Sequence, residues 1–148
     1  MSGEVSGEEH NERTERTEER ALQAAIMTEF GTLDDVVVNR NNVGTANYGT
    51  AKVAYGLGGK GAPDLMIEVR ITTNTFTSTW AVLWVEVKTP NGRIDKHQRE
   101  WHAAARRRGR PCVVARSVGD VRVAIGDVRR GAVTIYDRSK GKAVCDGE

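Results

Sequence analysis

Glu86 and Lys88 stand two residues apart in the run Trp80–Lys88, WAVLWVEVK, whose other members are all apolar. A strand repeats its side-chain direction every second residue, so the acid and the amine share one face. Asp64 opens an earlier apolar segment, and Glu19 projects onto the stripe formed by Leu22, Ile26 and Phe30 in an amphipathic helical segment. An isolated buried carboxylate is driven toward its neutral form. Three carboxylates gathered with a lysine are better explained by a divalent cation, and hard oxygen ligands without Cys or His point to Mg²⁺ or Mn²⁺. Such an ion acidifies a bound water, neutralises phosphate charge and stabilises a leaving oxygen. A neighbouring lysine can orient the water or offset developing negative charge.

Each residue also has a plainer reading. Asp64 follows Pro63 and suits a turn. Glu86 and Lys88 can neutralise each other on a half-exposed strand. Glu19 can favour the positive end of its helix. Gln98 completes Asp95-Lys96-His97-Gln98, a capping-box pattern in which the glutamine bonds back to the cap backbone.

The elements that must hold these groups follow from periodicity and punctuation. Residues 1–16 carry almost nothing apolar and are expected to form an acidic, disordered leader. A helix is predicted from about Thr17, as N-cap, to Phe30, with Gly31 as its stop. A short strand covers Asp35–Asn39. Arg40–Pro63, rich in Gly and Asn, reads as a long, partly irregular connection of the kind that is more often functional than idle. Asp64 to about Arg70 is a strand, Thr72–Thr79 a polar hairpin tip, and Trp80–Lys88 a central strand apolar on both faces. A turn over Thr89–Ile94 leads to a helix capped by Asp95 and ended by Gly109 and Pro111. Cys112–Ala115 is a buried strand. Val121, Ala124, Ile125 and Val128 mark a last helix, with Ser117 or Asp120 as cap. Val133–Tyr136 is a candidate edge strand in a C-terminal extension over 131–148. The order α, β, β, β, α, β, α predicts a mixed α/β fold, a central mixed sheet flanked by helices, in one domain over 17–130.

Composition narrows the partners. The 148 residues suffice for one domain with a real core. No apolar run has the length of a membrane span and the start is unlike a signal peptide, so no membrane partner and a cytoplasmic location are expected. Cys112 and Cys145 show no metal spacing, and His10, His97 and His102 are too scattered for a zinc site. The net charge of +2 hides an asymmetry: residues 1–20 hold seven acids and three arginines, whereas residues 93–110 hold seven Lys/Arg against two acids. The basic segment can bind phosphate or simply form a solvated helix face. Arg40, Asn42, Lys52 and Lys60 on the Gly-rich connection, and Arg93, are candidate DNA contacts; the connection residues serve equally as turn residues.

The ordered set ERALQAAI, RNNVGT, GAPDL, VEVKTPNGR, and Gln98 with Trp101 resembles the VRR-NUC branch of the PD-(D/E)XK nucleases, over roughly Glu19 to Ile125. The resemblance implies a restriction-endonuclease-like core and a Mg²⁺/Mn²⁺-dependent DNA endonuclease that leaves 5′-phosphate and 3′-hydroxyl ends. It implies that Asp64 and Glu86 ligate the metal with the Val87 carbonyl, and that Lys88 serves the attacking water. Glu19 would contribute from the helix and Gln98 would complete the site. Small stand-alone relatives, in bacteria and phages, tend to be homodimers. Two sites on one DNA suit branched substrates such as a Holliday junction or a flap, as met in DNA repair. The alternative is a non-catalytic nucleic-acid-binding module that retains the nuclease fold.

Overall fold

The computed structural model describes residues 7–72 and 77–131. In chain order the elements are α1 (Gly7–Phe30), β1 (Val36–Arg40), β2 (Gly44–Tyr48), β3 (Ala51–Tyr55), β4 (Leu65–Thr72), β5 (Ser78–Val87), α2 (Lys96–Arg107), β6 (Cys112–Ala115) and α3 (Val118–Arg129). The middle of the expected hairpin tip, and the C-terminal extension with its candidate edge strand, lie outside the described residues.

Four strands form the central sheet in the order β1-β4-β5-β6. The β1/β4 and β4/β5 pairs are antiparallel and β5/β6 is parallel, so the sheet is mixed. β5 is an inner strand, as its two apolar faces require. Leu83, Val85 and Val87 point into one cluster with Ile26, Phe30, Leu65 and Ile67, on the side covered by α1 and α3. Trp84 points the other way, into a smaller cluster with Trp101, Ala105 and Cys112 under α2. No helix among the described residues is long and apolar enough to cross a membrane.

Two expectations need correction. The first concerns α1, which begins at Gly7, so residues 7–16 are helix rather than a disordered leader. Thr17 is not a cap: its hydroxyl donates to the Arg13 carbonyl one turn back, at 2.9 Å, inside the helix. The polar stretch is helical without burial because charge supports it. Glu8 and Glu9 occupy the first turn, where the helix dipole favours acids, and Arg16 pairs with Glu12 at 3.4 Å across one turn. The second concerns the Gly-rich connection, which contains the antiparallel β2–β3 hairpin in register Gly44↔Tyr55 to Tyr48↔Ala51. Its residues are mostly exposed, so no hydrophobic alternation advertised it.

His102, on α2, is fully buried; its Nδ1 lies 3.1 Å from Cys112 Sγ and its Nε2 has no hydrogen-bond partner. Burial lowers its pKa from the usual 6.5 to about 4. The unfolded chain therefore takes up this proton at a higher pH than the fold does, and stability is lost as pH falls through that window. Urea unfolding at pH 7 and pH 4.5 should show the unmutated protein losing up to about 3 kcal/mol more than His102→Leu, since one pKa unit is worth about 1.4 kcal/mol. Equal losses would mean that His102 is not held neutral.

Candidate active site

The β4/β5 ladder pairs Leu65 with Val85. One step further along, Asp64 stands opposite Glu86, and cross-strand neighbours share a face. Asp64 is fixed there by its backbone and its side chain. Its carbonyl accepts from Asn41 N–H at 2.7 Å, and its Oδ2 accepts from Val87 N–H at 2.9 Å. Val87 thus meets Asp64 through its amide. Glu86 is only 2% exposed. Its Oε1 accepts from Gln98 Nε2 at 2.6 Å, while its Oε2 is buried without a hydrogen-bond partner.

Lys88 lies just past the end of β5, its Nζ 3.8 Å from Glu86 Oε1 and 3.7 Å from Glu19 Oε1. Glu19 reaches it from α1, where Glu15, Glu19, Gln23, Ile26 and Phe30 follow the inward face of the helix. The two readings of Gln98 prove compatible. Its Oε1 accepts from Asp95 N–H at 3.0 Å and its own N–H donates to Asp95 Oδ1 at 2.9 Å, which completes the capping box. The other end of the same amide holds Glu86.

Burial is the main cause that pushes the carboxylates up from their ordinary pKa. Glu86 stands well above the usual range because burial is compounded by the negative charge of Asp64, with Lys88 opposing. Asp64 is raised by burial against the lowering effects of the Val87 amide and Lys88. Glu19 is raised by burial, with Lys88 opposing. Excess negative charge with one orphaned oxygen is the chemistry a hard divalent cation satisfies, and Mg²⁺ needs only one or two protein carboxylates. The residues present fit that ion. They do not form a three-carboxylate cage: no group of three or more His, Cys, Asp or Glu among the described residues is arranged to hold a metal. Glu19 is engaged instead by the ammonium of Lys88.

Residues beyond the expected set hold this geometry. Asn41 donates its amide to the carbonyls of Leu57 (2.9 Å) and Pro63 (3.0 Å) and accepts from Leu57 N–H, tying the Gly-rich loop to the start of β4. Gly61, at φ +82°, lies so close to the start of α2 that a Cβ would collide with the His97 carbonyl. Trp101 packs against Trp84 under the sheet and clamps the same loop by donating to the Gly58 carbonyl at 2.8 Å. Arg116, buried after β6, donates to the carbonyls of Thr89 (2.6 Å) and Gly92 (2.7 Å), pinning the turn that follows Lys88. Nothing local in the sequence marks Asn41 or Arg116, because their partners lie far along the chain.

Two clefts meet at Asp64. The smaller, about 420 Å³, is lined by Arg16, Glu19, Arg20, Arg40 and Asn42 among others. The larger, about 690 Å³, includes Lys60, Asp95, His97 and Gln98. Of the candidate DNA contacts, Arg40, Asn42 and Lys60 therefore border the site. Lys52, exposed on β3, and Arg93, exposed after the turn, line neither cleft. Arg16 and Arg20 both fall within a turn of Glu19 on one helix; Arg16 sits in the stretch expected to be a leader, and no local pattern shows that Arg20 borders a cleft.

The mixed sheet with flanking helices, and the Asp64–Glu86–Lys88 cluster at the ends of its two inner strands, define a PD-(D/E)XK-like nuclease core. The chain matches the VRR-NUC domain over residues 9–119 and belongs to that family. No curated protein and no solved structure matches the chain. Membership carries a nuclease-type function with DNA as the implied substrate, in a family that generally uses divalent metals.

The double role of Gln98 is testable by a double-mutant cycle. Gln98→Ala and Glu86→Ala should show a coupling energy of about 1–3 kcal/mol in urea unfolding, since truncating Gln98 leaves a buried carboxylate unsatisfied. Coupling near zero would leave Gln98 as a helix cap alone.

Proposed function

We propose that the protein is a Mg²⁺- or Mn²⁺-dependent endodeoxyribonuclease that hydrolyses phosphodiester bonds. The observation that carries this reading is the buried carboxylate of Glu86 set against that of Asp64, close enough to share a hydrogen bond, with Lys88 beside them. Asp64, Glu86 and the Val87 carbonyl would hold the ion. When bound, it would neutralise phosphate charge and supply an acidified water. Lys88, held between Glu19 and Glu86, presents an ammonium that steadies the attacking water and offsets negative charge on the phosphate. Gln98 keeps Glu86 aimed, and Glu19 sets the position of Lys88. Arg40, Asn42 and Lys60 take neighbouring phosphates.

The proposal extends to a homodimer acting on branched DNA. It rests there on family resemblance, since two sites on one junction would give paired cuts. Sizing of the purified protein, and comparison of four-way, flap and linear DNA, tests both points.

Cutting should require Mg²⁺ or Mn²⁺ and stop in EDTA. Lys88→Ala should bind DNA yet cut at least about 100-fold more slowly, the usual scale for losing such a group. Cutting by Lys88→Ala at the unmutated rate removes Lys88 from the mechanism. Binding without metal-dependent cutting on any DNA favours a non-catalytic module.

A second readout needs no DNA. Either ion should raise the melting temperature of the unmutated protein, by binding the folded state, and should not raise that of Asp64→Asn/Glu86→Gln. Equal shifts would place the ion elsewhere.

A further inference from the structure

Tyr55 ends the β2–β3 hairpin, outside the central sheet, yet its side chain lines both clefts that meet at Asp64. Its cross-strand partner is Gly44, which offers no side chain. The tyrosine ring occupies that space: a Cβ added to Gly44 would collide with the Tyr55 hydroxyl and ring. The ring is thus seated against backbone while the residue stays 50% exposed. An aromatic left half in water, though seated in place, has surface to offer a planar ligand.

The surrounding charge says which ligand. Arg20 and Arg40 border the smaller cleft and Lys60 the larger, and Arg40 lies close enough to Asp64 for its charge to lower that carboxyl's pKa against the effect of burial. Arg16 adds a further cation, shared with Glu12. Cations in both clefts that one aromatic ring lines match a sugar-phosphate strand with a base between, the pattern by which proteins hold single-stranded nucleic acid. A base within a duplex cannot present its face, because both faces are stacked on neighbours. Only an unpaired or extruded base can lie on Tyr55.

We propose that Tyr55 is a stacking platform for one unpaired base next to the phosphate that is cut, and that the protein selects DNA with an unpaired nucleotide at that position. The inference rests on the proposed nuclease function and adds to it the feature recognised. Tyr55 is a specificity residue: it touches the substrate but not the reacting atoms. Gly44 is the seat that positions it.

The test uses DNA pairs that differ only in whether the nucleotide at the cut is paired, with 2-aminopurine at that position. The unmutated protein should cut the unpaired form about tenfold faster or more, the scale of one stacked base. Tyr55→Phe should keep that ratio and Tyr55→Leu should bring it near one. Gly44→Ala, which displaces the ring but retains it, should also bring it near one, so the result does not depend on Tyr55→Leu folding well. A ratio of one for the unmutated protein, or a ratio untouched by Tyr55→Leu and Gly44→Ala, overturns the proposal. If no protein cuts any DNA, the nuclease reading fails separately. Fluorescence in EDTA then decides on Tyr55: quenching of 2-aminopurine by the unmutated protein and Tyr55→Phe but not Tyr55→Leu supports the platform, and equal quenching by all three overturns it.

Discussion

Two carboxylates forced together, Glu86 buried and Asp64 half-buried at the cleft floor, are the constraint around which this protein is arranged. Asp64 and Glu86 face each other because the β4/β5 register, carried one step past Leu65 and Val85, sets them across from one another, and β5 is covered on both faces. Burial raises both acids above their ordinary pKa, and the negative charge of Asp64 raises Glu86 further. The fold answers with a limited set of donors: the Val87 amide on Asp64, the Gln98 amide on one oxygen of Glu86, and the ammonium of Lys88. The other oxygen of Glu86 has no donor from the surrounding fold, only the carboxylate of Asp64 near it. A buried group left in that condition costs stability, and its retention is intelligible when a cation completes it.

The neighbouring elements make sense as supports for that arrangement. α2 supplies Gln98 from its first turn, where the capping box fixes the side chain before it reaches Glu86. The Gly-rich loop is drawn against α2 by Trp101 and Gly61 and against β4 by Asn41. The turn after Lys88 is held by Arg116 through backbone carbonyls. None of these residues needs to touch a substrate. Each removes freedom from a group of the candidate site, and preorganisation of this kind is what lets a few polar atoms act in a defined geometry.

α1 has two roles along its length. Its C-terminal half buries Ile26 and Phe30 against the sheet, while Glu19 leans toward Lys88 and Arg16 and Arg20 border the cleft. A helix is well suited to this, since residues three or four apart share a face and a stripe can change from apolar to charged without a break. With β2–β3 opposite, the helix gives the site walls of different character, cationic on one side and aromatic at Tyr55.

Much of the scheme was legible in the residues themselves. The two-residue period of WAVLWVEVK places Glu86 and Lys88 on one face and makes the strand central. The Leu22–Ile26–Phe30 spacing turns Glu19 inward, and Asp95-x-x-Gln98 marks a helix start. These are local regularities, with periods of two to four residues. The extension of α1 to Gly7 was hidden because charge pairs and the helix dipole, not burial, hold that stretch. The β2–β3 hairpin was hidden because an exposed ribbon has no apolar alternation to reveal it. Tertiary structure alone decided that Asp64 falls opposite Glu86, that one glutamine amide serves both a cap and a carboxylate, and that Arg116 reaches the turn after Lys88. Strand register and long-range hydrogen bonds join residues distant in the chain, and no local pattern encodes which distant partner each will meet.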